Sequence, residues 1–257
     1  AVGESVADPI KYYDVNVGGS ISLLKAMTRF KCNNIVFSSS ATVYGNPIYL
    51  PYDESHPTFP VNPYGRNKLM VEEIIQDWVL ADTKNKGTVL RYFNPIGAHP
   101  SGLIGDAPCG VPNNLMPYIS QVAVGKKKFL KIFGNDYETS DGTGLRDYIH
   151  VLDLANAHLK ALERPRLIED FEILNIGCGH GETVLGLIKK FERASGKLID
   201  YEFAPRRSGD LPAFWANSTK ANKLLDWKAK LTITQMCEDT WRWQSKNLNG
   251  YGKQNIK

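Results

Sequence analysis

The sequence is short of several things, and each shortage removes a class of function. The four cysteines among its 257 residues, Cys32, Cys109, Cys178 and Cys237, stand at no paired ligand spacing, which excludes a zinc-ribbon or disulfide-scaffold reading. The five histidines, His56, His99, His150, His158 and His180, form no His-x-x-x-His pattern, so no catalytic metal is expected. No secretory or membrane-spanning run is visible, and a reducing cytoplasm is the expected location. Charge is modest at +4, and the densest basic run, Lys126-Lys127-Lys128 with Lys131, reads as a solvated helix end. Neither nucleic acid nor membrane is expected as a partner. Ahead of Ser40 there is no Gly-x-x-Gly-x-x-Gly turn, the device that seats a dinucleotide pyrophosphate on a helix start.

What is present is a chain apolar enough to bury a full core, with 42% hydrophobic and 23% charged residues. Helical spacing of Ile21, Leu23, Leu24 and Met27 predicts a helix over residues 5–30, interrupted at Gly18-Gly19. Ile35-Val36-Phe37 opens a strand that ends at Ser40. A proline-rich loop, 47–63, leads into a helix from Tyr64 to about Leu80 with Leu69, Ile74, Ile75 and Trp78 as its expected apolar stripe. Strands are expected at 88–93 and 171–176, a helix at 153–162, and an irregular ligand-facing segment from Asn94 to Met116. The late glycines of Gly177-Cys178-Gly179-His180-Gly181 lack dinucleotide spacing and read as a strand-to-helix turn. Alternating strands and helices predict a parallel, doubly wound Rossmann-like α/β sheet.

Two stretches carry chemistry. Tyr64 and Lys68 stand at i and i+4, so a helix sets both on one face and brings an ammonium near a phenol. A free phenol has a pKa of roughly 10, and a nearby cation favours phenolate, the form that acts as a base. Ser40, ending its strand at the mouth of an open sheet, is placed to relay a proton. With 12 tyrosines in a lysine-rich chain, about one Tyr-x-x-x-Lys match arises by chance. The serine-rich strand end just upstream is what gives the pair weight.

The order of these pieces, together with Ala1 to Ser5, Ser38 to Gly45, Tyr64 to Lys68, Arg91 to Pro95, Gly97 to Gly102, Pro112 to Tyr118, Ile132 to Tyr137, Asp141 to Gly144, Arg146 to Val151, Pro205 to Arg207 and Gly209 to Ala213, resembles the UDP-glucose 4-epimerase family of extended short-chain dehydrogenases and reductases. The resemblance implies an enzyme that interconverts UDP-galactose and UDP-glucose with NAD. Oxidation at C4 makes that carbon planar, and hydride return on the other face inverts it. By the same resemblance Tyr64 and Ser40 handle the O4 proton, Lys68 contacts the cofactor ribose, and Asn16 and Tyr92 stand on the cofactor side. Asn94, Asn114, Leu115, Phe133, Arg146, Arg207 and Asp210 are implied contacts of the nucleotide sugar, with the arginine forks suited to phosphate. Phe214, four residues after Asp210, is implied to line the sugar end and to favour plain hexoses over N-acetylated ones. Phe133, Tyr148, Trp241 and Trp243 also read as packing residues, and Arg207 with Asp210 as a surface ion pair.

The resemblance implies residues 1–93 as the later part of an NAD-binding domain. Residues 94–257 would be mainly a smaller C-terminal substrate-binding α/β region, with Asp153 to Gly177 returning to the first sheet. It implies a homodimer. It also implies that the N-terminal strands of the Rossmann-like sheet are missing, leaving residues 35–39 as an uncovered edge and the chain a poor binder of NAD. Three alternatives remain: a nucleotide-sugar 4,6-dehydratase, a nucleotide-sugar decarboxylase and a non-catalytic fragment. A dehydratase needs an acid and a base where Ala41 and Thr42 stand.

Overall fold

A computed structural model describes residues 1–108, 110, 112, 114–163, 169–207 and 210–251; Cys109 lies outside them. Helices come first: α1 (Val2–Ala7), α2 (Pro9–Tyr12), a π-helical turn (Tyr13–Gly18) and α3 (Gly19–Arg29). Then follow β1 (Asn34–Ser40), α4 (Pro63–Leu80), β2 (Lys86–Tyr92), β3 (Asn94–Ile96), α5 (Leu115–Ala123), β4 (Leu130–Phe133), β5 (Leu145–Arg146) and β6 (Tyr148–His150). The chain continues through α6 (Val151–Glu163), β7 (Phe171–Ile176), β8 (Glu182–Thr183), α7 (Val184–Ser195), β9 (Tyr201–Ala204), β10 (Ala213–Phe214), α8 (Thr219–Leu225) and α9 (Ile233–Lys246).

The expectation that N-terminal elements of the fold are missing is corrected here. Ordered structure is present from Val2, and α1 is tied into the fold by Ser5, whose fully buried hydroxyl donates to the Val2 carbonyl at 2.7 Å and accepts from the Tyr64 N–H at 3.2 Å. The expectation took the lack of a glycine turn as a lack of elements. Helix formation needs only spacing and anchors, and this segment has both. The π-helical turn carries the chain through Gly18 without breaking it, where a plain interruption was expected.

The chain divides into two compact units. The first comprises Ala1–Phe93, Ala155–Gly179 and Trp215–Lys228. Its sheet is parallel, in the order β1-β2-β7, with Ser40 opposite Tyr92 and Tyr92 opposite Ile176 at the carboxyl ends. Order β1-β2-β7 is the doubly wound arrangement that strand–helix alternation predicts. Leu24 and Met27 of α3 pack with Val71, Ile75 and Val79 of α4, flanked by Ile35, Phe37, Ile74, Trp78 and Phe171. Each fully buried side chain of this size contributes about 1.5–3 kcal/mol. The α4 stripe is thus offset from the expected one: Asn67, Val71, Glu72, Ile75 and Val79 are inside, and Ile74 and Trp78 only flank. Two polar positions, Asn67 and Glu72, belong to the buried face, so apolar spacing alone could not centre it.

The second unit comprises Asn94–Leu154, His180–Phe214 and Ala229–Lys257. It is built from small pieces of sheet, β10-β5-β8, β3-β6 and β4-β9, with α7 packed on α9, where Phe191 meets the edge of Trp241 at 6.1 Å. Both helices start on threonine caps. Thr183 accepts from the Gly186 N–H, and Thr232 forms a reciprocal box with Gln235. The segment from Asn94, expected to be irregular, contains β3, paired in parallel with β6.

Candidate active site

In the first unit the sequence brings Ser40, Tyr64 and Lys68 together by three local devices. Ser40 ends β1 and turns the chain, its hydroxyl accepting from the Thr42 N–H at 3.3 Å and the Thr42 hydroxyl at 3.0 Å. Asn62 caps α4, accepting from the Gly65 N–H at 2.8 Å, and Pro63 occupies the first helical position. Gly65 lets the helix start press on the turn after β1. A side-chain carbon there would sit 2.7 Å from the Thr42 carbonyl oxygen and 2.9 Å from Pro60. Only a bare backbone fits.

Lys68 holds its ammonium 5.6 Å from the centre of the Tyr64 ring and donates to the Ser38 carbonyl at 2.9 Å. Burial lowers the Lys68 pKa, with Glu72 acting in the opposite sense. Tyr64 is pushed up to about 12, by burial first and by neighbouring Tyr92 second, while its hydrogen bond with Ser40 pulls the other way. That outcome differs from the expected lowering by Lys68. The ammonium is already engaged by a carbonyl, and the cost of burying a phenolate is the larger effect.

Glu72, one turn beyond Lys68, was not singled out from the sequence. Its carboxylate accepts from the Ser39 hydroxyl and is forked by Arg91, at 3.1 Å from Nε and 2.5 Å from Nη2. Burial would lower the Arg91 pKa, but Glu72 outweighs it and the pKa is raised. Both partners are buried, with side-chain exposures of 5% and 3%, so the pair ties α4 to β1 and β2 beneath the reactive groups. The i, i+4 spacing from Lys68 was the available signal. Its partner lies 19 residues away, where spacing says nothing.

Tyr92 ends β2 opposite Ser40, with its pKa raised by burial and lowered by a hydrogen bond from Ser38. The Ser38 hydroxyl lies 2.7 Å from Nε2 of His158. Asn16 sits in the π-helical turn, a feature frequent at functional sites, and its amide donates to the Asn67 carbonyl oxygen at 3.3 Å. Asn67 is fully buried and its own amide nitrogen has no partner among the described residues.

The second unit contains a pocket of about 170 Å³. Asn94, Asn114, Leu115, Phe133, Arg146, Arg207 and Asp210 all line it; Phe214 does not. Phe214 instead lies under the Arg146 guanidinium, 5.1 Å from it, because β10 pairs with β5 and sets the two residues opposite one another. Arg146 also donates to the Leu145 carbonyl at 2.9 Å, and burial lowers its pKa. Arg207 donates to Asp210 at 2.9 Å and lies 4.5 Å over the Phe133 ring, so the surface-pair reading and the pocket reading describe the same two residues. Lys131, Arg146 and Arg207 against Asp210 leave the wall with a cationic excess. Asn114 stands at the start of α5 without capping it, and a helix start with an uncommitted amide suits an anion. The Asn94 side-chain oxygen is buried with no partner among the described residues.

A phenol, a hydroxyl and an ammonium at a strand end suit proton removal from an alcohol; a cationic pocket with asparagines suits a diphosphate. Residues 1–240 match the family described as GDP-mannose 4,6 dehydratase. The chain is 55% identical over 252 residues to UDP-glucose 4-epimerase of Yersinia pestis, covering 98% of this chain and 75% of that protein. It is 53% identical to the human UDP-glucose 4-epimerase, covering 99% and 73%. The crystal structure of the Bifidobacterium longum UDP-glucose 4-epimerase, a complex with NAD+ and UDP, superposes with a TM-score of 0.92 at 50% identity, covering 98% of this chain and 75% of that one. A likeness this extensive, together with the geometry of the Ser40, Tyr64 and Lys68 cluster, makes the chain a member of the UDP-glucose 4-epimerase family.

Proposed function

We propose that this chain interconverts UDP-galactose and UDP-glucose by NAD-dependent, transient oxidation at C4. The observation that carries the reading is the placement of Tyr64 and Lys68 on α4 beside Ser40 at the end of β1, in a chain that belongs to this family. Tyr64 has the chemistry to take the O4 proton and return it, and Ser40, hydrogen-bonded to it, would relay that proton. Lys68, Asn16 and Tyr92 are the residues that would hold the nicotinamide end; the buried Asn67 amide nitrogen behind Asn16, without a partner among the described residues, fits a site that is completed by a bound group. NAD supplies the hydride acceptor and donor. Asn94, Asn114, Arg146, Arg207 and Asp210 would hold the UDP moiety.

A 4,6-dehydratase reading draws on the matching family description, but Ala41 and Thr42 carry no carboxyl group and Thr42 is engaged with Ser40. The test is incubation of the chain with UDP-galactose and NAD, followed by separation of the nucleotide sugars. UDP-glucose is the expected product. A 4-keto-6-deoxy sugar, or no turnover, would refute the epimerase reading.

We also propose a homodimer in a reducing cytoplasm. Ile10, Val15 and Leu23 on the N-terminal helices and Leu80 on α4 expose apolar side chains. Cys32 and Cys237 are free thiols, and among the described residues no helix is long and apolar enough to cross a membrane. Light scattering at micromolar concentration checks the mass; a monomer would remove the dimer.

A further inference from the structure

We infer that Tyr137, in addition to the residues already assigned to the pocket, donates a hydrogen bond to a phosphate oxygen of the bound nucleoside diphosphate; the inference rests on the UDP-binding reading above. Tyr137 lines the pocket and is 5% exposed, yet its hydroxyl is buried with no partner among the described residues. A buried hydroxyl left unpaired destabilises the protein that carries it, whereas phenylalanine would fill the same volume at no such cost.

The ring is fixed from several sides. The Arg206 guanidinium lies 4.1 Å over it and is itself held by Asp136, donating to the carboxylate at 2.7 Å and to the Asp136 carbonyl at 2.6 Å. Gly134, at φ +82°, passes so close that an added side-chain carbon would lie 2.5 Å from the ring edge. The Tyr137 N–H donates to the Gly142 carbonyl at 2.9 Å. Nothing here lets the hydroxyl swing away to find a partner, so it is positioned in advance of whatever it meets.

Its surroundings name the partner's charge. Arg146, Arg206 and Arg207 act on the hydroxyl together with the single carboxylate of Asp210, and burial raises the phenol's pKa, so the group remains an O–H donor within a cationic wall. An anionic oxygen satisfies the donor and the arginines at once. A ribose or base oxygen would satisfy only the first.

Tyr137→Phe tests this in the full chain, with calorimetric titration of UDP and ligand-observed NMR titration of uridine. The variant should bind UDP about tenfold or more weakly, since a charge-assisted hydrogen bond is lost, bind uridine as the parent does, and melt at the same or a higher temperature. Unchanged UDP affinity would overturn the inference. So would an equal loss for uridine, which would move the contact off the phosphate, or a lowered melting temperature, which would mean that the hydroxyl already has a partner in the free protein. If the parent chain itself fails to bind UDP, the functional reading falls as well; if the parent binds and the variant binds equally, only Tyr137 is wrong.

Discussion

The two candidate sites solve opposite problems. In the first unit every reactive group already has a protein partner: Ser40 has Thr42, Lys68 has the Ser38 carbonyl, and Tyr64 has Ser40. Below them the Glu72–Arg91 pair locks helix to sheet. In the second unit the pocket wall keeps polar atoms without partners among the described residues, the Asn94 oxygen and the Tyr137 hydroxyl, and exposes Arg207. Chemistry tolerates little misplacement, so its groups are fixed beforehand. Nucleotide binding can use the ligand itself to complete the set.

The comparison breaks most visibly if chemistry and binding fail to separate. Tyr64→Phe should lower kcat by about 10²–10⁴-fold, the usual share of a positioned acid–base group, while the calorimetric Kd for UDP stays within a factor of about two. A parallel loss of UDP affinity would mean that Tyr64 belongs to the clamp. Glu72→Ala probes the support beneath. Removing one partner of a buried pair strands the other, and about 3–5 kcal/mol of unfolding free energy should disappear in urea titration. A loss below about 1 kcal/mol would show that Arg91 finds another acceptor.

The first site was the more legible from sequence, for a physical reason. Ser40, Tyr64 and Lys68 are joined by short-range rules: a strand end, a helix start and one helical turn. Arg91 meets Glu72 across 19 residues and His158 meets Ser38 across 120, and no local pattern encodes either meeting. The N-terminal helices divide the same way: helical spacing predicts helix over residues 5–30, but not the anchor at Ser5, whose hydroxyl meets the Tyr64 N–H across 59 residues. In the second unit Asn94, Asn114, Leu115, Phe133, Arg146, Arg207 and Asp210 line one pocket, yet whether a side chain faces the pocket or a neighbour depends on pairing. Phe214, expected in the pocket, stacks on Arg146 because two-residue strands happen to align them.

That stacking sharpens the contrast within the clamp. Arg207→Ala, at an exposed ion pair, should raise the Kd for UDP several-fold at low salt and less at high salt, because surface charge interactions are weak and screened. Phe214→Cys removes the ring beneath Arg146, a contact worth about 0.5–2 kcal/mol, so KM for UDP-galactose should rise about two- to thirtyfold with kcat nearly unchanged. The same variant should gain turnover of UDP-N-acetylgalactosamine if ring bulk limits the pocket. Unchanged KM and no gain would leave Phe214 as packing alone.

The effect confined to the narrowest conditions concerns alkaline stability, and it isolates the cost of presetting the first site. Tyr64 has its pKa pushed up to about 12 by burial, against roughly 10 in an unfolded chain. Because the folded-state value is raised, the stabilisation is fully present below pH 10 and is lost as pH climbs through about 12; the folded protein holds a proton that the unfolded chain releases. Replacing Tyr64 with phenylalanine removes that linkage. The variant's urea midpoint should therefore fall less steeply than the parent's between pH 10 and 12, although Tyr44, also raised to about 12 by burial, keeps part of the slope. Identical slopes would mean that the Tyr64 phenol titrates as freely folded as unfolded, and the first site would then be no more constrained than the pocket wall.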